Sequence, residues 1–149
     1  MCYLSKILLI ITICLTTSYS QGWAQETQLK KLIQTINKKL KSASPYKGYI
    51  EISDEGELIH HQKVNPGLRK IKLNDIDTIK YFYDRFDPNK APFSVELTCK
   101  EGECAQVDWA DGMKMNYFSL IFSFNNKDDA EKMIATLQDL IDLALKPRL

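Results

Sequence analysis

The apolar residues of this chain change period twice, and that switch constrains the fold more than any single motif. Across residues 26–41, Leu29, Leu32, Ile33, Ile36 and Leu40 recur at helical spacing, while Lys30, Lys31, Lys38, Lys39 and Lys41 fill other positions. This predicts an amphipathic helix docked on a core, with a solvated basic side. Ser44 and Pro45 end it, because the residue before a proline is driven out of the helical region. From residue 48 to 124 the alternation has period two. Gly48, Ile50 and Ile52 share one strand face, residues 54–57 read as a hairpin turn, and residues 58–64 return as a second strand. A turn at 65–67 leads to a third strand at Ile71 and Leu73. Ile79, Tyr81 and Tyr83 keep the alternation beyond a bend or bulge expected at Asn74 and Asp75. Residues 87–92 hold two prolines and read as a loop. Two strands, 93–99 and 104–109, then read as a hairpin about Gly102, and Ala110, Asp111 and Gly112 turn into a strand region at 113–124. There Phe118, Leu120, Phe122 and Phe124 are expected on one face. The last segment is helical again. Asn126 is a good N-cap, Asp128, Asp129 and Glu131 suit the positive end of the helix dipole, and Ala130, Met133, Ile134, Leu137, Leu140 and Ile141 form an apolar stripe.

The leading segment has a different character. Lys6 precedes a nine-residue run at 7–15 that is apolar except for Thr12, and Gly22 and Ala24 stand where a signal peptidase reads small residues. Residues 1–24 are therefore expected to be a signal peptide, with Ser18 and Ser20 framing an alternative cleavage site. Such a run falls short of the roughly 20 residues that span a bilayer, which argues against stable membrane insertion. Ile13 before Cys14 argues against a lipid-attachment cysteine, where a small residue is wanted. The expected location is the periplasm, the cell surface or the extracellular space.

Removing 24 of 149 residues leaves 125, one domain's worth. Lys6 is the only charged residue lost, so 19 basic side chains remain against 19 acidic ones. With zero net charge no global field favours nucleic acid or anionic lipid, and no nucleic-acid partner is expected. Of the four cysteines only Cys99 and Cys104 stay, and in an exported chain they read as a disulfide closing the hairpin about Gly102. Direct pairing there would set apolar faces out of phase, so a bulge at Gly102 is expected to shift the register.

The run Ile71, Lys72, Leu73, Asn74, Asp75, Ile76, Asp77, Thr78, Ile79, followed by a hairpin, a strand, and Asp128, Asp129, Ala130 and Glu131 opening an amphipathic helix, resembles the pleckstrin-homology-like (PH-like) fold. The resemblance covers roughly residues 47–145. It implies an α+β fold: a strongly bent antiparallel sheet or partly open barrel of six to seven strands, plugged by a long C-terminal helix. The division is then 1–24 signal peptide, 25–46 N-terminal helix and linker, and 47–149 PH-like domain. The family's implication is a binding scaffold rather than an enzyme. Two departures stand out. The leading helix is an addition, and the acidic turn Asp54, Glu55, Gly56, Glu57 replaces the basic first hairpin of phosphoinositide-binding members. The structural alternative is a cystatin-like or NTF2-like curved sheet, which the long final helix disfavours.

No chemistry-bearing constellation stands above its bland reading. His60 and His61 are neighbours on a strand and point to opposite faces, so one metal cannot take both. Asp108, Asp111 and Asn116 lack the alternation of a calcium loop. No histidine stands near Cys99 or Cys104 in sequence. No metal, cofactor or catalytic residue is assigned. The candidate apolar or interaction surface is Tyr81, Phe82, Tyr83, Phe86 and Trp109, with rings on both faces of one strand. Leu29, Leu32, Ile33 and Ile36 are expected to cover its outer side. The function expected is an exported, non-catalytic module that contacts another envelope or extracellular protein; the alternative is a small carrier holding an apolar or lipid-like molecule between sheet and helix.

Overall fold

A computed structural model describes residues 2–63, 67–83 and 92–147, with side chains from residue 23 onward. Helix α1 (Cys2–Ala43) runs without a break through the expected leader into the amphipathic segment. Among the described residues eight strands follow: β1 (Gly48–Ile52), β2 (Glu57–Gln62), β3 (Gly67–Lys72), β4 (Ile76–Tyr83), β5 (Phe93–Cys99), β6 (Ala105–Trp109), β7 (Lys114–Tyr117) and β8 (Ser119–Phe124). Helix α2 (Lys127–Ala144) closes the described chain. All strand pairs are antiparallel and fall into two sheets, one of order β1-β2-β3-β6-β7 and one of order β4-β5-β8.

The α+β class with antiparallel strands and a helix at each end is as expected, but the described strands number eight rather than six to seven and fall into two sheets that do not close into a barrel. Two short interruptions make the difference. At Leu73–Asp75 a single 3₁₀ turn, where a bend was expected, carries the chain from the five-stranded sheet into the three-stranded one. At Phe118 the expected single strand over 113–124 splits into β7 and β8, which lie in different sheets. Phe118 is consequently 67% exposed and does not share the buried face of Leu120, Phe122 and Phe124.

The cysteine pair is corrected by the same division. Cys99 and Cys104 are bridged, with Cα atoms 5.6 Å apart, yet β5 pairs with β4 and β8 while β6 pairs with β3 and β7. No hairpin joins the two strands, so no bulge is needed to reconcile their faces. The bridge instead ties one sheet to the other.

One continuous core fills the space between the elements. Ile50, Leu58 and Ile71 from the larger sheet meet Val95, Leu97, Leu120, Phe122 and Phe124 from the smaller, together with Ile36 and Leu40 of α1 and Met133, Leu137 and Leu140 of α2. Each is at most 2% exposed, and a fully buried aliphatic or aromatic side chain contributes roughly 1.5–3 kcal/mol. Asn126 caps α2 as expected, its side-chain oxygen accepting from the Asp129 N–H at 2.8 Å. The turn at 110–112 also forms: Gly112, at φ +87°, donates to Trp109 O at 3.0 Å, and Trp109 N–H donates to Met113 O at 2.8 Å.

Helix α1 packs on α2 and on β1. It does not cover the outer side of Tyr81, Phe82 and Tyr83: Phe82 is 46% and Tyr83 43% exposed. The reason lies in Asn37. Its amide donates to Ile50 O at 3.0 Å and accepts from Ile50 N–H at 2.6 Å, so the side chain mimics a neighbouring strand and holds the helix against the edge of the larger sheet.

Candidate functional site

Period-two alternation along β3 sends Gly67, Arg69 and Ile71 to the same face. Ile71 is in the core, at 1% exposure. Arg69 is therefore an inward residue, flanked across the ladder by His60 on β2 and Val107 on β6. Arg69 lines a groove of about 200 Å³ between the larger sheet and β8, together with Val107, Trp109, Tyr117, Leu120 and Ile121 among others and, among the described residues, with no acidic side chain. Among the described residues Arg69 has no hydrogen bond or ion pair. Burial draws its pKa below the ordinary arginine value, while Tyr117 and Tyr46 act in the opposite sense; arginine still remains a cation.

The groove has an apolar rim. The turn and edge strand beside it expose Met113, Met115 and Phe118. Met115 pairs with Val107, placing it on the same cross-strand row as Arg69 and His60. Strand β7 ends the larger sheet, so one side of its backbone has no strand partner. At the opposite edge β1 is occupied by Asn37.

His60 is 2% exposed, lies 4.7 Å from the Phe122 ring and has no partner for its enclosed Nδ1. Burial, then Arg69 and His61, push its pKa from 6.5 down to about 3. It is a neutral core histidine at ordinary pH. His61 points the other way, as expected, stacking on Tyr49 at 4.3 Å and meeting Glu51 at 2.9 Å. Among the described residues no three His, Cys, Asp or Glu side chains are placed to hold a metal ion.

The expected aromatic surface is not brought together. Tyr81 and Tyr83 pack near Phe93 in the smaller sheet, with centroids 6.5 and 5.4 Å away, and Phe82 faces outward. Trp109 belongs to the larger sheet and lines the Arg69 groove, with its indole N–H enclosed and without an acceptor among the described residues. Phe86 lies outside the described residues, as do Asn65, Pro66 and most of the 87–92 loop. Arg69 is not among the apolar or metal-ligating residues that the sequence singles out. Its in-phase spacing with Ile71 was the available signal.

A second recess, of about 400 Å³, opens at the junction of α1, the β1–β2 turn and the end of α2; apolar Leu29, Ile52 and Leu73 share its lining with polar and acidic Glu26, Asp54 and Glu55, among others. Among the described residues no helix is long and apolar enough to cross a membrane. No family model, no curated protein and no solved structure matches this chain, so its function rests on the residues themselves.

Proposed function

We propose that the chain is exported, loses residues 1–24, and works as a non-catalytic interaction module on a PH-like scaffold that docks another envelope or extracellular protein. The observation that carries this reading is the unequal treatment of the two edges of the larger sheet. Asn37 satisfies β1 as a strand would, whereas β7 keeps an open side next to exposed Met113, Met115 and Phe118. An open edge with apolar neighbours is the surface that an extended partner segment completes by strand addition. The disulfide fits an oxidising compartment. The 3₁₀ passage between sheets and the core-packed final helix support the PH-like scaffold. A non-catalytic role is in keeping with bridged cysteines, which carry no thiolate, and with a sealed His60.

The carrier reading draws on the 400 Å³ recess between helix and sheet, a size within the range of roughly 300–1,000 Å³ typical of small-molecule clefts. Native mass measurement of the purified chain separates the two. An interaction module gives the bare polypeptide mass. A bound mass of a few hundred daltons that leaves on denaturation supports the carrier instead.

A further inference from the structure

Arg69 is the least expected side chain in the core-facing rows. A cation on the inward row of a sheet loses hydration, and that loss is ordinarily offset by a carboxylate or by carbonyl acceptors. Here no acidic side chain among the described residues lines the groove, and none of those residues bonds the guanidinium. The half-buried guanidinium keeps contact with water and is placed to meet a carboxylate brought to the groove. A guanidinium fork matches a carboxylate in a bidentate pair. The other walls, Val107, Trp109, Tyr117, Leu120 and Ile121, ask for an apolar body beside that charge.

Size narrows the choice. About 200 Å³ lies below the cleft volumes that enclose whole cofactors or drug-sized ligands, which disfavours a long-chain lipid and suits a single residue. One residue combines a carboxylate with an apolar side chain: the last residue of a polypeptide. The groove is bordered by Ser119, Leu120 and Ile121 of β8, the outer strand of the smaller sheet, and by Tyr117 at the end of β7. A chain end seated there lies alongside extended backbone.

We infer that the Arg69 groove captures the C-terminal carboxylate of a partner polypeptide ending in a medium-sized apolar residue. The inference rests on the interaction-module reading and names the part of the partner that is recognised. Arg69 pairs with the carboxylate, Trp109 and Tyr117 flank the terminal side chain, and the preceding residues follow the open strand edge.

The chain has two tryptophans, Trp23 and Trp109, and Trp23 leaves with residues 1–24, so the processed protein reports on the groove through Trp109 fluorescence alone. The probes are N-acetyl-leucine, its amide, isovalerate, and the tripeptide acetyl-alanyl-valyl-leucine. N-acetyl-leucine should give a saturable change, the amide should bind at least tenfold more weakly, and the tripeptide should bind more tightly than N-acetyl-leucine. Arg69→Met should abolish the difference between acid and amide while leaving the melting temperature unchanged or higher, since it removes a half-buried charge that has no partner among the described residues. Arg69→Lys, with the charge but not the fork, should fall between. Equal binding of acid and amide, an unaltered response in Arg69→Met, or no saturable change at the solubility limit of N-acetyl-leucine overturns the carboxylate site. Isovalerate binding as well as the tripeptide overturns the polypeptide source in favour of a free acid. Either result leaves the β7 docking surface to be judged by cross-linking.

Discussion

His60 and Arg69 face each other across β2 and β3 and share one inward row, and their burial has opposite consequences. The histidine escapes the cost of burial by remaining neutral; the arginine has no such option. With a folded-state pKa near 3 against 6.5 in the unfolded chain, His60 is protonated first in the unfolded state as pH falls. Its contribution therefore favours the fold fully above about pH 6.5 and is lost progressively between there and pH 3, at up to roughly 1.4 kcal/mol per pH unit. His60→Met should flatten the pH dependence of urea-unfolding stability in this window relative to the parent, and parallel curves would show that the histidine is not buried neutral. The opposite facing of His60 and His61 was legible from strand alternation alone. The role of Arg69 was not, because a charged residue in an apolar row reads as an interruption until the groove that receives it is known.

Elements were legible where periodicity is local and obscure where assignment depends on partners across the fold. The cap at Asn126, the turn at Gly112 and the amphipathic stripe of α1 follow from neighbours within a few residues. The sheet to which each strand belongs does not. Cys99 and Cys104 are separated by four residues and looked like a hairpin, yet the 3₁₀ turn at Leu73–Asp75 and the break at Phe118 distribute their strands to different sheets. Because the bridged loop is short, chain entropy limits its effect. Replacing both cysteines by serine should lower stability by about 2 kcal/mol in denaturant unfolding without loss of cooperativity. A second, probe-dependent transition would show that the sheets separate without it. Asn37→Ala should be of comparable size, since it strips two hydrogen bonds from Ile50 at roughly 1 kcal/mol each. It should also promote edge-to-edge association visible as concentration-dependent mass in light scattering; a strictly monomeric variant would contradict the blocking role.

At the scale of the whole molecule, the order of one helix, antiparallel strands and a second helix was readable from two changes of period. The split into sheets of five and three strands was not, nor was the docking of α1 on β1 and α2 rather than over Tyr81, Phe82 and Tyr83. Helix and strand periodicities state which face is apolar, not which apolar face it meets. The larger sheet has one edge occupied by Asn37 and one left open at β7 near a cation without a carboxylate partner among the described residues, and the proposed partner surface follows from that asymmetry. The most direct test places a photo-crosslinking side chain at Met115 on β7 and, as a control, at exposed Glu131 on α2, in cells that export the chain. A discrete protein adduct should form at position 115, be absent at 131, and disappear when Asn116→Pro disturbs the strand edge. Equal labelling at both positions, or none at 115, would contradict docking on this face.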